Sequence, residues 1–332
     1  MTFVAGAIPG RSRLRFAPAG AVPRCYAGGM LVRTVGGDDA TMTDPQATRT
    51  EPSVLLTPGA LLAGRYRIER FLAAGGMGEV HQVLDEVLGE RVAVKLLRED
   101  LSHKREAQER FTDEIRLARR VTHRNVCRVF DVGADGPRVF FTMELHQGET
   151  LACFLRREGP LEIPAASPLV RQILAGVGAA HASDVVHSDL KPSNIILDRR
   201  AVGAEPHVLI TDFGLAVSCC AVPGCVCTSA HLFGTPAYMA PEQVKGDPIS
   251  RATDIFALGV ILFEMVTGKL PFTGSNLVEL ATARLAGGDP PSPRAVRPSV
   301  ASRWDEAIRA CLALDGGARP SIGDLASTLD LA

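Results

Sequence analysis

The sequence lacks an excess of charge of either sign. Its 332 residues include 36 Lys and Arg against 37 Asp and Glu, which leaves a formal net charge of −1. Strong positive charge is what attracts a protein to nucleic-acid phosphates, so a binder that depends on bulk charge is excluded. A local basic patch is compatible with the same total, but we expect no nucleic acid among the partners.

Cysteine is sparse and unevenly distributed. The eight cysteines occupy positions 25, 127, 153, 219, 220, 225, 227 and 311. Small secreted proteins that depend on disulfides are shorter and richer in cysteine, so that class is excluded and a reducing, cytoplasmic environment is favoured. Four of the cysteines lie within the nine residues 219–227, with a spacing unlike that of paired zinc knuckles. Reduced thiols are the favoured interpretation, and a redox-controlled disulfide is the alternative.

Long apolar runs are also absent. Proline and glycine, including Pro223 and Gly234, interrupt the uncharged stretch 214–241, and the apolar run 256–263 is too short to cross a bilayer. The first arginines, beginning with Arg11, follow the short N-terminal apolar stretch, whereas in a signal peptide they precede it. We therefore expect a soluble protein without a membrane partner.

Residues 1–62 form one compositional unit, dominated by Gly, Pro, Ala and Thr and without a persistent helix or strand period. A disordered N-terminal extension is the favoured interpretation. An Arg-rich targeting peptide is an alternative, because the first 37 residues hold five Arg and no acid. A gene start placed too early, with the true start at Met30 or Met42, is the other.

From Arg65 onward the apolar residues become periodic. Apolar residues make up 46% of the whole chain, which is enough for a sizeable core. The pattern predicts an α+β protein with two lobes, a small antiparallel-sheet lobe at 63–145 with one main helix and a larger, mostly helical lobe at 146–332. A cleft between the lobes is a common place for a ligand. The predicted strands are Arg65–Leu72, Gly78–Asp85, Arg91–Leu97, Val126–Val132, Val139–Leu145 and Val208–Thr211. The predicted helices are Lys104–Val121, Ala165–Ala182, Ala252–Gly268, Val300–Leu314 and Ile322–Leu331.

A glycine-rich segment, Leu72–Val80, lies between the first two predicted strands. Gly75 and Gly78 would let backbone N–H groups approach phosphate oxygens without obstruction by a Cβ. A tight turn without any ligand explains such a segment equally well. A Walker loop and a dinucleotide fingerprint both open a helix, so this loop belongs to neither class.

Lys95 ends the strand-like run Val92-Ala93-Val94-Lys95. A buried ammonium is costly unless it is paired, and Glu114, 19 residues further on and on an apolar-striped helix, is the candidate partner. For Lys95 taken alone, an ammonium that reaches water at the strand edge is the simpler interpretation.

Two further segments bring polar side chains together. The run 187–194 places Asp189, Lys191 and Asn194 on one loop, because Pro192 excludes a regular helix. Asp212 follows a predicted strand directly and precedes Phe213 and Gly214. A carboxylate at a strand end suits a hard cation such as Mg²⁺, although each segment by itself could be an ordinary polar turn.

In this order the motifs resemble the protein kinase family, with its glycine loop, strand lysine, helix glutamate, catalytic loop, DFG motif (Asp212–Gly214) and APE motif (Ala240–Glu242). The resemblance covers about 64–331. Segments 75–80 and 234–242 are most similar to eukaryotic-like Ser/Thr kinases of bacteria. It implies a bilobal kinase fold and a Ser/Thr protein kinase that uses ATP and Mg²⁺. It also implies protein substrates, with self-association for autophosphorylation left open.

The resemblance assigns roles to individual residues. Around the adenine it places Leu72, Val80, Ala93 and Ile196, with Met143 as gatekeeper and the backbone of Glu144–His146 as the hinge. The glycine loop, with Gly75 and Gly78, would cover the phosphates, and Lys95, paired with Glu114, would hold them. Asn194 and Asp212 would bind Mg²⁺, Asp189 would orient the substrate hydroxyl, and Lys191 would neutralise the transferred group.

Two residues depart from the family pattern. Ala73 stands where the first glycine of the loop is usual, and Ser188 replaces the arginine that usually precedes the catalytic aspartate. Because that arginine commonly receives an activation-loop phosphate, we expect basal activity without phosphorylation of Ser218, Thr228 or Ser229. A pseudokinase that binds ATP as a scaffold without phosphoryl transfer is the alternative function.

Overall fold

The computed structural model describes residues 56–74, 78–98, 105–198, 205–213, 236–274 and 276–331. The N-terminal lobe is built on one antiparallel sheet of six strands in the order β1-β2-β3-β4-β6-β5. The strands are β1 (Leu61–Leu62), β2 (Tyr66–Ala74), β3 (Gly78–Asp85), β4 (Glu90–Leu97), β5 (Val129–Asp135) and β6 (Arg138–Met143). Helix α1 (Arg105–Ala118) lies against this sheet.

The register of the sheet decides which side chains share a face. Lys95 lies opposite Val80 on one side and Phe141 on the other, and Ala93 lies opposite Met143. Because directly paired residues point to the same side of a sheet, these five share one face. Helix α1 packs on that face through Phe111 and Ile115, which contact Phe141 and Leu97. The opposite face holds a separate apolar cluster that includes Ile68, Val83, Val94 and Phe140.

The C-terminal lobe combines a small sheet with helices around one large core. The sheet has the order β7-β8-β9, with β7 (Gly148–Thr150), β8 (Ile195–Asp198) and β9 (His207–Ile210). The helices are α2 (Leu151–Glu158), α3 (Ile163–Ala182), α4 (Pro241–Lys245), α5 (Arg251–Thr267), α6 (Leu277–Leu285), α7 (Pro293–Val296), α8 (Ser302–Cys311) and α9 (Ile322–Leu329). Short 3-10 turns lie at Pro192–Asn194, Pro236–Tyr238 and Gly316–Ala318.

Helix α5 is the centre of this lobe. It is apolar on nearly all sides, as expected for a helix surrounded by protein, and it packs against α3, α7 and α8. Ser250 caps its first turn by accepting from Ala252 N, and Gly268 ends it in the left-handed conformation that glycine adopts easily. The helix carries Asp254 in its first turn, where the side chain is completely buried.

The predicted long elements are present, with ends that differ by a few residues. The lobe begins earlier than predicted, because Leu61–Leu62 pairs with β2 and Leu62 is only 1% exposed. Helices α2, α4, α6 and α7 and strands β1, β7 and β8 were not predicted, since each is short and its stability comes from packing. Within the part of the chain that the structure describes, no helix combines the length and hydropathy needed to cross a membrane.

Candidate active site

The loop 187–194 connects α3 to β8 and is held from below by Asp254. The carboxylate of Asp254 accepts from the backbone N–H of His187 and of Ser188, both at 2.8 Å, and His181 Nε2 lies 2.8 Å from its Oδ2. Charge-assisted hydrogen bonds of this kind are among the stronger ones in proteins. The carboxylate therefore fixes two consecutive peptide groups at the start of the loop.

His187 joins this loop to the end of β9. Its ring is fully buried, with Nε2 2.9 Å from the carbonyl oxygen of Thr211 and Nδ1 accepting from Asp189 N at 3.3 Å. A carbonyl can only accept and Asp189 N can only donate, so the proton of a neutral ring lies on Nε2. The Phe213 ring packs against the same imidazole at a tilt of 45°, with ring centroids 4.7 Å apart. The segment that carries Asp212 is thereby packed against the loop that carries Asp189.

The loop brings Asp189, Lys191 and Asn194 together, as predicted. Lys191 Nζ lies 2.6 Å from Asp189 Oδ2, and Asn194 Nδ2 donates to the carbonyl oxygen of Asp189 at 2.9 Å. The 3-10 turn Pro192–Asn194 produces this geometry, because it folds the chain back so that Asn194 N reaches Lys191 O. Thr211 N then donates to Asn194 O, which ties the turn to β9.

Lys95 crosses from the N-terminal lobe and meets Asp212. The distance from Nζ to Oδ1 is 2.9 Å, and the lysine residue is 6% exposed. The ammonium therefore does not reach water at a strand edge. Burial alone would raise the pKa of the Asp212 carboxyl, but the attraction and hydrogen bond of Lys95 outweigh it and hold the pKa below its usual range. Asp212 is thus ionised at neutral pH, although its own φ of +60° is unusual for a residue other than glycine.

The residues predicted to hold Mg²⁺ have suitable donor atoms. The amide nitrogen of Asn194 is engaged with Asp189 O, so the amide turns its oxygen, the atom a cation needs, the other way. Asp212 supplies an ionised carboxylate. Carboxylate and amide oxygens are ligands that hard cations prefer, and the pair therefore fits a magnesium ion.

The residues predicted around the adenine come from both lobes. Val80, Ala93 and Met143 are on the sheet face that also carries Lys95. Ile196 is the one half-buried residue of β8, a strand that is otherwise buried. Leu72 lies at an irregularity of β2 next to Ala73, which pairs with Val80 and is buried.

The side chain of His146, in the predicted hinge, is turned toward β8. The His146 side chain is buried, with Nδ1 3.1 Å from Asp198 Oδ2, so only its backbone can serve a ligand in the cleft. Glu144 N donates to the carbonyl oxygen of Arg128 at 2.9 Å, which fixes the first residue of the hinge. Sequence reasoning gave no sign of the pairing between His146 and Asp198, 52 residues apart.

Several predictions lie wholly or partly outside the described residues, including the N-terminal extension, of which 1–55 is not described, and the phosphorylation sites Ser218, Thr228 and Ser229. Gly75 belongs to 75–77 and the cysteine group to 214–235, and for Glu114 the structure describes the backbone in α1 but not the side chain. Gly78 is described, and its identity has a structural reason. A Cβ there would lie 1.9 Å from the carbonyl oxygen of Leu96, so the close approach of β3 and β4 already requires glycine.

Helix α4 carries two contacts of different kinds. Glu242 forms an ion pair with Arg319, with Nη1 and Nη2 at 2.8 and 2.9 Å from its two oxygens. Gln243, which sequence analysis did not single out, donates from Nε2 to the carbonyl oxygen of Ser188 at 2.7 Å and accepts from Ala240 N at 2.9 Å. The helix that follows the undescribed segment 214–235 thus contacts the catalytic loop directly.

Comparison with known proteins identifies similar sequences and folds. The protein kinase domain family matches residues 66–328. The serine/threonine-protein kinases PknA of Mycobacterium tuberculosis and PkaA of Streptomyces coelicolor are 38% and 39% identical over 247 and 242 residues, in each case 73% of this chain. PrkC of Bacillus subtilis is 32% identical over 257 residues. The kinase domain of Mycobacterium tuberculosis PknI covers 83% of this chain with a TM-score of 0.66 at 24% identity, a likeness of fold.

The match spans only part of the length of those relatives. It covers 56% of PknA, 43% of PkaA and 38% of PrkC. What is shared is therefore the one domain whose fold and residues are described above.

Proposed function

The chain belongs to the protein kinase family, and on that premise we propose that it transfers the γ-phosphoryl group of ATP to Ser or Thr hydroxyls of proteins. One observation carries the proposal. Four residues from three parts of the chain, Lys95, the loop residues Asp189 and Lys191, and Asp212, form two close ion pairs at the predicted cleft. Lone ion pairs add little to stability, so charged groups gathered beside a cleft are better explained by a charged ligand.

Each of these groups has a task in phosphoryl transfer. Asp189 would accept the hydrogen bond of the attacking hydroxyl, and Lys191, already 2.6 Å from it, would neutralise the transferred phosphoryl oxygens. Because the transition state is loose, positioning and charge neutralisation supply most of the acceleration. The hydrogen bonds that fix the loop from Asp254, His187 and Asn194 serve that positioning.

The nucleotide would occupy the cleft between the sheet face and β8. Lys95 would grip its phosphates, and Mg²⁺, held by Asn194 and Asp212, would neutralise charge on the β- and γ-phosphates. The close contact with Lys95 keeps Asp212 ionised in the absence of ligand, since the ammonium supplies its counter-charge. The methyl group of Ala73 would weaken nucleotide binding without preventing it.

The alternative, a scaffold that binds ATP without transfer, has little support. Its usual sign is the loss of the strand lysine, the catalytic aspartate or the DFG aspartate, and Lys95, Asp189 and Asp212 are all present. The proposed kinase acts in the cytoplasm on protein substrates, which include a second copy of itself if it autophosphorylates.

The test is transfer of labelled phosphate from ATP to a generic basic protein. Asp189→Asn and Lys95→Met should each lower the rate by roughly 100-fold or more, because each removes a group that acts on the reacting atoms. Asp184→Asn is the matched control, since it makes the same chemical change in an aspartate whose side chain is largely exposed, and it should leave the rate unchanged. Equal rates in wild type, Asp189→Asn and Lys95→Met would contradict the proposal.

A further inference from the structure

We propose that Gln243 is a positioning residue for Asp189, a role that rests on the proposed kinase function. Its side-chain amide bridges two backbone groups on different segments, the carbonyl oxygen of Ser188 and the N–H of Ala240. The amide orientation is fixed by these partners, because the flipped amide would face oxygen with oxygen and N–H with N–H. Helix α4 is thereby joined to the peptide that immediately precedes Asp189.

The Ser188–Asp189 peptide is held at both ends by this arrangement. Its carbonyl accepts from Gln243 Nε2 at 2.7 Å, and its N–H donates to His187 Nδ1 at 3.3 Å. The longer of the two contacts is also the weaker, so Gln243 makes the larger contribution to the plane of this peptide. That plane sets the direction in which the Asp189 side chain leaves the backbone.

Ser188 needs such a restraint because its backbone is strained. Its φ is +62°, a region that residues other than glycine seldom adopt. Asp254 holds its N–H at 2.8 Å, and the hydroxyl donates to His187 O at 2.6 Å. Without Gln243 the carbonyl would be released, the peptide could rotate to relieve the strain, and the Asp189 carboxylate would move with it.

The contact also explains how the loop is organised without an arginine at position 188. The short Ser188 side chain is engaged with its neighbour His187. Gln243 instead provides a neutral link from the catalytic loop to α4, and this link needs no phosphate. We therefore infer that the order of the catalytic loop depends on Gln243 rather than on a phosphorylated segment.

Two substitutions distinguish the proposed positioning role of Gln243 from a role as a simple N-terminal cap of α4. Gln243→Glu keeps the oxygen that accepts from Ala240 N but places a carboxylate oxygen against Ser188 O, whereas Gln243→Met removes both contacts. At pH 8 we expect Gln243→Glu to lower kcat about 10- to 100-fold, since a displacement of about 1 Å can cost 100-fold, with KM for ATP within about twofold of wild type. Gln243→Met should be no more impaired than Gln243→Glu.

The pH dependence is the diagnostic readout. As pH falls and the carboxylate introduced by Gln243→Glu becomes protonated, its O–H can donate to Ser188 O, so kcat of this variant relative to wild type at the same pH should rise between pH 8 and pH 5.5. The Gln243→Met variant has no titratable group at position 243, so its kcat relative to wild type should stay constant over the same pH range. Thermal unfolding of each variant at each pH controls for a loss of folded protein.

Hydrogen–deuterium exchange of residues 186–195 makes the test independent of turnover. Faster exchange in both Gln243 variants, with unchanged exchange in the N-terminal lobe, supports the positioning role even if wild type transfers no phosphate and the proposed function fails. Wild-type kcat and exchange in Gln243→Glu at pH 8 would overturn the inference. The inference would also be overturned if kcat fell equally in both variants, in step with their melting temperatures and to the same extent at every pH. That result would indicate that Gln243 only caps α4.

Discussion

Removal of the Arg319 guanidinium should destabilise the C-terminal lobe more than any surface change. The Arg319 side chain is fully buried and forms a two-pronged ion pair with Glu242. It also donates to three backbone carbonyl oxygens, those of Ala252, Ala313 and Leu314. One side chain thus joins α4, the start of α5 and the segment that follows α8.

The magnitude follows from what the substitution leaves behind. In Arg319→Met, the half-buried Glu242 carboxylate keeps the Thr253 hydroxyl as a partner but loses its counter-charge. Breaking a buried pair from one side costs about 3–5 kcal/mol. At roughly 2–4 °C per kcal/mol for a domain of this size, the melting temperature should fall by roughly 6–20 °C.

The loss should depend on pH in a definite direction. Burial alone would raise the pKa of Glu242, but the hydrogen bonds to its carboxylate, chiefly from Arg319, and the charge of Arg319 together outweigh burial and lower the pKa in the folded protein. The wild-type pair therefore stabilises the fold above the unfolded pKa of about 4.3 and loses this contribution as pH falls through the lower folded pKa. In Arg319→Met burial would raise the pKa of Glu242, so the difference between variant and wild type should be largest near pH 7 and shrink toward pH 4.

Thermal unfolding at pH 7 and pH 4.5 measures this effect in Arg319→Met, Glu242→Gln and the double variant. The double variant should be more stable at pH 7 than the sum of the two single losses implies, because it buries no unpaired charge. Arg303→Met is the control, since its ion pair with Asp330 is exposed and should contribute less than about 1 kcal/mol. A loss below about 1 kcal/mol in Arg319→Met, or additive losses in the double variant, would refute the reasoning.

Two other predictions concern stability at the edges of the fold. A chain that begins at Leu55 should keep the melting temperature and activity of the full chain. A chain that begins at Arg65 should melt several degrees lower, because it loses the buried side chain of Leu62, which is 1% exposed. Equal melting temperatures for the two truncated chains would contradict this prediction. Arg284→Met should raise the free energy of unfolding by about 1–3 kcal/mol in chemical denaturation, because it removes a poorly compensated buried charge. Burial lowers the pKa of this guanidinium to about 10, and among the described residues its Nε and Nη2 atoms have no hydrogen-bond partner. A loss of stability in that variant would mean that the charge has a partner.

The sequence contains enough local information to identify the fold and most of the candidate site. Strand alternation predicted β3 with its observed bounds, Gly78–Asp85, and the apolar stripe at Phe111 and Ile115 predicted the helix that packs on the sheet. The resemblance of the ordered motifs to protein kinases brought out Lys95, Asp189, Asn194 and Asp212. Such patterns are readable because periods of 2 and 3.6 residues follow directly from backbone geometry.

Contacts between distant segments could not be predicted in this way. Gln243 reaches Ser188 across 55 residues, Asp254 reaches His187 across 67, and Lys95 meets Asp212 across 117. Each depends on how two elements are oriented in the folded chain, which no local period encodes. A glutamine after Glu242 looks like any polar residue of a helix until the turn of α4 places its amide against the catalytic loop.

The sequence by itself thus determined which chemical groups this protein has and the order in which they occur. Only the tertiary structure determined which of these groups are in contact, which carbonyl oxygen accepts from each amide and which charged groups are desolvated. Those decisions set the pKa of Asp212 and Glu242 and the strain at Ser188. The physical reason is that hydrogen bonds and desolvation act over a few ångströms in space, whatever the separation along the chain.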